Sequence, residues 1–298
     1  MKNLLILICI FSLSVNLYAQ DLDAILEQES PGESSVVLGT FNGTRILNGH
    51  SVETRNKGIL EFLIHHRFGT LNSGFDELFG LDQSNIRLGF EYAFTDELTI
   101  ALGRSSFEKT FDGYAKYRLL KQKDGEDAFP ISLTLFGSAT QKTIKDYDPE
   151  FKPSFKDRLA YTSQILLARK FNQNFSLQFI PTYIHFNKTR AIDDPNDIYA
   201  LGIGTRIKIS KRISLNGEYY YTLNTFESIV AKNLIAFGID IETGGHIFQL
   251  IFTNSRSMIE KGFIVETTGD FFNGDIHFGF NISRAFQIKK SDDTQKLY

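Results

Sequence analysis

From Gly58 onward, apolar residues recur at every second position in one segment after another. In Ile86-Arg87-Leu88-Gly89-Phe90-Glu91-Tyr92-Ala93-Phe94 the even positions are all apolar, and the odd ones are charged or small. Ile213–Tyr219 and Ile276–Ile282 repeat the pattern. A period of two puts alternate side chains on opposite faces of a strand, so each segment has one greasy and one polar face. Twelve such segments are predicted, at 58–68, 85–94, 98–105, 110–121, 129–138, 158–171, 174–187, 198–209, 212–223, 232–241, 245–254 and 274–286. Most exceed the ~5–6 residues usual in soluble strands and reach the ~9–11 needed to cross a bilayer.

The connections alternate in length. Thr95-Asp96-Glu97, Asn172-Gln173, Ser210-Lys211 and Glu242-Thr243-Gly244 are tight, whereas 69–84, 139–157, 188–197, 224–231 and 255–273 are long. The pair 106–109 and 122–128 breaks the rule. Short turns on one side and long loops on the other mark an all-β, up-and-down antiparallel transmembrane barrel of about twelve strands. A soluble ligand-binding barrel has about eight strands and turns its apolar residues inward. The composition fits the membrane reading. Apolar residues are only 42% of the chain, yet 28 of its 298 residues are Phe and 12 are Tyr. An outward aromatic and aliphatic band with a polar interior gives that average. Tyr92, Phe94, Phe129, Phe171 and Phe175 fall near short turns, and Tyr219-Tyr220-Tyr221 near the opposite rim, as aromatic girdles would.

The ends add a compartment. Lys2 followed by the apolar run Leu4–Phe11 is too short to span a membrane and reads as a secretory signal, residues 1–19, cut near Ala19. Cleavage removes Cys9, the only cysteine, so no intramolecular disulfide is expected. Residues 20–56 are expected to form a periplasmic extension or a plug. Phe41, Ile46 and Leu47 call for burial, which favours a docked position. Residues 57–286 form the barrel, with Phe286 closing its last strand, and 287–298 a polar tail. The expected location is a bacterial outer membrane. The expected partners are outer-membrane lipid, the insertion machinery and a small polar solute. Nucleic acid is not one of them, since 32 Lys+Arg face 35 Asp+Glu.

Several stretches resemble a family of outer-membrane β-barrel proteins common in Bacteroidota that has no assigned biochemistry. They are Phe41–Glu53 (FNGTRILNGHSVE), His66–Gly69, Asn85–Tyr92 (NIRLGFEY), Gly103–Gly113 (GRSSFEKTFDG), Lys116–Leu120 and Gly274–Arg284 (GDIHFGFNISR). The resemblance implies a fold and a compartment, not a reaction.

Strand parity selects the lumen-lining charges. The bases are Arg67, Arg87, Lys116, Arg118, Arg158, Lys170, Arg206 and Lys208. The acids are Glu61, Glu91, Asp112, Glu218, Asp240 and Asp275. They form either a cross-lumen salt-bridge network or a charged constriction, in which the excess of bases favours an anion. Gly89, Gly202, Gly204, Gly238 and Gly279 are inward and leave room there. Pairing of the first and last strands is expected to bring His65 and His277 to one height beside Asp275, a set that would suit a divalent metal or, more simply, a hydrogen-bonded pair. No catalytic residue and no cofactor is assigned. Ser163 is the main outward serine of a strand, and no outward histidine is expected level with it, which argues against a phospholipase. A narrow channel for small polar solutes is the first functional expectation, and a closed scaffolding barrel the second. A monomer is expected.

Overall fold

The computed structural model describes residues 35–144 and 153–289. The signal-peptide reading, residues 20–34, Pro149 and the tail from 290 lie outside the described residues. Two strands of two residues, β1 (Ser35–Val36) and β6 (Lys123–Asp124), pair as a small ribbon. The other twelve close into one antiparallel barrel. They are β2 (Ile59–Thr70), β3 (Ser84–Ala93), β4 (Leu98–Ser105), β5 (Phe111–Leu120), β7 (Ser132–Gln141) and β8 (Leu159–Lys170). The remainder are β9 (Phe175–Phe186), β10 (Asp197–Lys208), β11 (Ile213–Thr222), β12 (Leu234–Thr243), β13 (His246–Thr253) and β14 (His277–Gln287). Each strand pairs with its chain neighbour, and β14 closes on β2. Closure leaves no unpaired sheet edge, the condition for placing β-structure in lipid.

Two strand starts differ from the sequence expectation by three residues, and the others by two or fewer. β7 begins at Ser132 rather than 129, because Lys123 pairs with Phe129 in a local bridge and Pro130 follows it. β14 begins at His277 rather than 274, because Phe271–Asn273 is a 3-10 turn ended by Gly274 at φ 87°. That left-handed backbone is easy for glycine.

The outer wall is apolar. Leu88, Phe90, Leu102, Ile165, Phe179, Leu201, Ile203, Phe237 and Leu250 are all exposed, as a lipid-facing band requires. Tyr92 meets Phe94 edge-on at 4.8 Å at the short-turn rim, and Tyr183 meets Tyr199 at 5.5 Å near the long-loop rim. Tyr220 turns inward and is buried, so it does not belong to a girdle.

The inner wall is not uniformly polar. Toward the long-loop end, Ile184, Ile198, Ala200, Leu234, Ala236 and Ile251 are buried inward-facing residues. They form an apolar collar that receives the loop between β13 and β14. That loop carries a six-residue helix, α1 (Glu260–Val265), packed on β8 and β11 and buried throughout. Phe263 meets Tyr220 at 5.5 Å in a T-shaped contact.

The inward glycines are filled sites rather than open room. A Cβ at Gly204 would collide with Ile46, and one at Gly238 with Leu47. Gly204→Val is therefore expected to destabilise the folded protein by roughly 1–3 kcal/mol through overpacking. Gly137→Val, whose added Cβ meets nothing within 4 Å, is expected to leave stability unchanged. Urea unfolding of the refolded barrel in lipid compares the two.

Candidate functional site

Residues 39–56 enter the barrel from the short-turn end and return to it. Ile46 N–H donates to Gly49 O (2.9 Å) and Ser51 N–H to Thr44 O (3.1 Å), so the segment is a tight hairpin with Leu47-Asn48 at its tip. An Asn-Gly pair, here Asn48-Gly49, is a strong local turn signal. The carboxylate of Glu218, on β11, takes the tip. Its Oε1 accepts from Leu47 N–H (3.1 Å) and Gly49 N–H (2.9 Å), and its Oε2 from Asn48 N–H (2.8 Å).

The wall binds the rest of the hairpin through its backbone. Gln249 Nε2 donates to Ile46 O (2.7 Å), Asn281 Nδ2 to Leu47 O (2.8 Å) and Gln178 Nε2 to His50 O (2.7 Å). Thr134 Oγ1 donates to Val52 O (2.8 Å), Lys116 Nζ to Glu53 O (2.6 Å) and Arg206 Nη1 to Gly39 O (3.0 Å). Irregular backbone at membrane depth needs such partners, because no bulk water is there to supply them. Arg55 pairs with Glu61 at the return (2.5 Å). Phe41, Ile46 and Leu47 are buried.

At the other end the hairpin meets a lid formed by α1 and its loop between β13 and β14. Arg45 Nη1 lies 3.0 Å from Glu260 Oε1 on α1, and His50 Nε2 lies 3.3 Å from the same oxygen. The His50 ring packs between Tyr114 (4.5 Å) and Phe136 (4.2 Å). Plug and lid thus touch through one buried carboxylate.

The structure sorts the charges that parity selects. Glu61, Arg67, Arg87, Glu91, Asp112, Lys116, Arg206, Glu218 and Asp240 are buried inside. Arg87 pairs with Asp112 (2.5 Å), and the Tyr114 hydroxyl donates to Glu91. Arg67 Nη2 donates to Asn48 Oδ1 (2.9 Å) on the plug. Arg118, Lys170 and Lys208 are only half-buried, at the short-turn rim, where Arg118 donates to Asp96 O and Lys170 to Leu38 O. Arg158 is not on a strand. It ends the 3-10 turn Lys156–Arg158 at the long-loop end and donates to Ile144 O (2.5 Å). The excess of bases therefore sits at the rims. Among the buried set, four bases face five acids, so the lumen wall itself gives no preference for an anion.

The histidine pair does not assemble. His65 is opposite Asn281, whereas His277 is opposite Thr70, after a bulge between His277 and Gly279. Four residues of offset place them about 13 Å apart along the strand. His65 lies 3.5 Å from Arg87, and His277 Nδ1 donates to Phe68 O (2.9 Å). Asp275 accepts from Asn72 (2.7 Å) and from Asp270 N–H (2.9 Å). Among the described residues no three metal-ligating side chains cluster. Ser163 is level with Gly137 and Tyr183, and the outward histidine nearest along β9, His185, pairs two positions away with Tyr161 and engages Asp197 through Nδ1 (2.7 Å).

Charge alone does not select the neutral grips Gln178, Gln249, Asn281 and Thr134, although strand parity turns all four inward. Arg45, His50 and Glu260 lie off the strands, so no periodicity marks them.

Above the lid, at the long-loop mouth, lies a vestibule of ≈ 370 Å³. On its wall Glu108 holds Lys142 (2.6 Å) and Lys261 (3.2 Å), and Glu266 holds Lys261 (3.2 Å) and Arg190 (3.4 Å). Burial pushes the Glu108 carboxyl up, but the charge of Lys261 and the hydrogen bond and charge of Lys142 outweigh it and bring it down to about 2.

Fold and site together define a membrane-bound β-barrel whose lumen is occupied by its own N-terminal segment. Residues 41–286 match the family described as "Membrane bound beta barrel domain (DUF5777)", and the chain belongs to that family. The match begins inside the plug, so plug and barrel are one family unit. No curated protein matches the sequence. Among solved structures, the NanC porin is similar at 8% identity and TM-score 0.47, covering 78% of this chain and 100% of that one. The KdgM porin is similar at 9% and 0.46, covering 76% and 99%. The COG4313 outer membrane channel from Pseudomonas putida F1 is similar at 14% and 0.46, covering 79% and 98%.

Two outcomes follow from this geometry. Glu218→Ala leaves three plug amides without an acceptor, at roughly 1–3 kcal/mol per buried unpaired group. Hydrogen exchange is expected to show protection lost at 47–49 and kept in the strands. Glu108 has a folded-state pKa below its ordinary value of 4.5, so its contribution to holding the lid is complete above that pH. It disappears as pH falls toward 2. Proteolysis of the 254–276 loop is expected to rise across that interval in the wild-type protein. In Glu108→Gln the rise should be smaller, from a higher baseline.

Proposed function

We propose that this protein is an outer-membrane conduit for small polar solutes, held shut by its N-terminal hairpin. The short turns face the periplasm and the long loops the exterior, following the asymmetry of such barrels. One observation carries the reading: the plug is gripped through its backbone by polar side chains of the barrel wall. A lumen meant only to be sealed needs no inserted backbone, since side chains alone can fill a small barrel, and exchanging buried ion pairs for apolar packing is often neutral or stabilising. Glu218, Gln178, Gln249, Asn281, Lys116 and Arg206 instead form a wall that water can solvate once the hairpin retracts. The plug is also a separate segment, joined to the barrel at the periplasmic side, so it can leave without unravelling a strand.

A scaffolding barrel that never opens is the second reading. It is favoured by the contact of Arg45 and His50 with Glu260, which ties plug to lid. Planar-bilayer recordings separate the two. Deletion of residues 40–54 is expected to give conductance steps of defined size, with the wild-type protein closed for most of the record. Folding of the variant is checked by its heat-modifiable gel mobility, and Glu218→Ala supplies a full-length variant that should flicker open. Silence of both folded variants over many insertions would establish the scaffold.

A further inference from the structure

The vestibule at the outer mouth has a chemistry that the closed lumen lacks. Among the described residues, five cationic side chains line it: Lys142, Arg158, Lys188, Arg190 and Lys261. Three carboxylates of the described residues line it as well, and each is already engaged. Glu108 and Glu266 are shared among Lys142, Lys261 and Arg190. Asp157 accepts from Ser154 N–H (2.7 Å). Arg190 has the loosest pairing, with Glu266 at 3.4 Å and Glu108 at 3.9 Å, and its side chain is 46% exposed. The apolar part of the lining is Leu159, Ala160, Phe186 and Phe226, the two rings in edge contact at 5.0 Å. A concave site with an apolar part and a few convergent charged groups is the usual form of a small-molecule pocket, and ≈ 370 Å³ lies in the usual size range.

We propose that the vestibule binds a small organic anion, one carboxylate or phosphate group on a compact apolar body. The anionic group meets the guanidinium of Arg190, which is planar and suited to bidentate contact with an oxyanion. The apolar body lies on Leu159 and Phe226. Lys142 and Lys261 fix the field around it while remaining bonded to Glu108. Calling this anion the cargo rests on the conduit reading above; the binding itself does not. Lys261 and Glu260 are adjacent on α1, the first facing the vestibule and the second holding Arg45 of the plug. The helix that meets the anion is therefore the helix that meets the plug.

The test is isothermal titration calorimetry on the full-length refolded barrel in detergent. Benzoate is the probe, benzylamine its cationic counterpart of similar size, and inorganic phosphate the anion without an apolar body. Benzoate is expected to saturate one site, benzylamine not to bind, and phosphate to bind at least tenfold more weakly. Arg190→Gln is expected to weaken benzoate at least tenfold. Absence of saturable benzoate binding would overturn the proposal, as would equal binding of benzoate and benzylamine, or an unchanged affinity in Arg190→Gln. Benzoate binding beside a silent plug-deleted barrel would leave the site standing and remove the conduit. A conducting plug-deleted barrel that ignores benzoate would do the reverse.

Discussion

The carboxylate of Glu218 organises the interior of this barrel. Three consecutive plug amides converge on its two oxygens, and a hairpin tip cannot satisfy those donors by itself. Once the tip is fixed there, Ile46 and Leu47 fall against Gly204 and Gly238, the only type of residue that leaves space for them. The carbonyls of the hairpin then face Gln249, Asn281 and Gln178. Polar capture and apolar fit thus reinforce one another, and both depend on strands whose inward positions alternate small and hydrogen-bonding residues.

The same constraint explains the division of the lumen into two zones. Its lower part is polar because it must satisfy a backbone that has left its own sheet. Its upper part, the collar of Ile184, Ile198, Leu234 and Ile251, is apolar because it seats the buried side chains of the lid. Between the zones stands Glu260, whose carboxylate serves both Arg45 and His50. Above it, among the described residues, the vestibule gathers five cationic side chains.

Much of the fold is legible in the sequence because a barrel strand writes its structure locally. Residues 86–94 show the lipid face and the lumen face by alternation alone, and the four tight turns mark one end of the barrel. Register across the closing seam is not local. The bulge between His277 and Gly279 shifts one strand against the other, and no pattern in either segment encodes it. His65 meets Asn281 in the regular register that runs from Ile59 to Arg67, and the bulge moves His277 one residue further from it. The need of Ile46 and Leu47 for burial is plain from their type, but their seats at wall glycines depend on residues some 160 to 190 positions away. Glycines such as Gly204 and Gly238 look in sequence like vacant lumen, and become contact points only once a second segment occupies it.

The central claim is that the N-terminal hairpin lies inside the barrel of the membrane-embedded protein. It is tested most directly by thiol accessibility in a background with Cys9 replaced by Ser. Ser51→Cys lies at a position with 0% exposure in the plug, and Ile192→Cys at one with 102% exposure in an outer loop. The account predicts rapid reaction of a membrane-impermeant maleimide at 192 and none at 51 until the protein is unfolded. Equal labelling of the two positions in the folded barrel would contradict it.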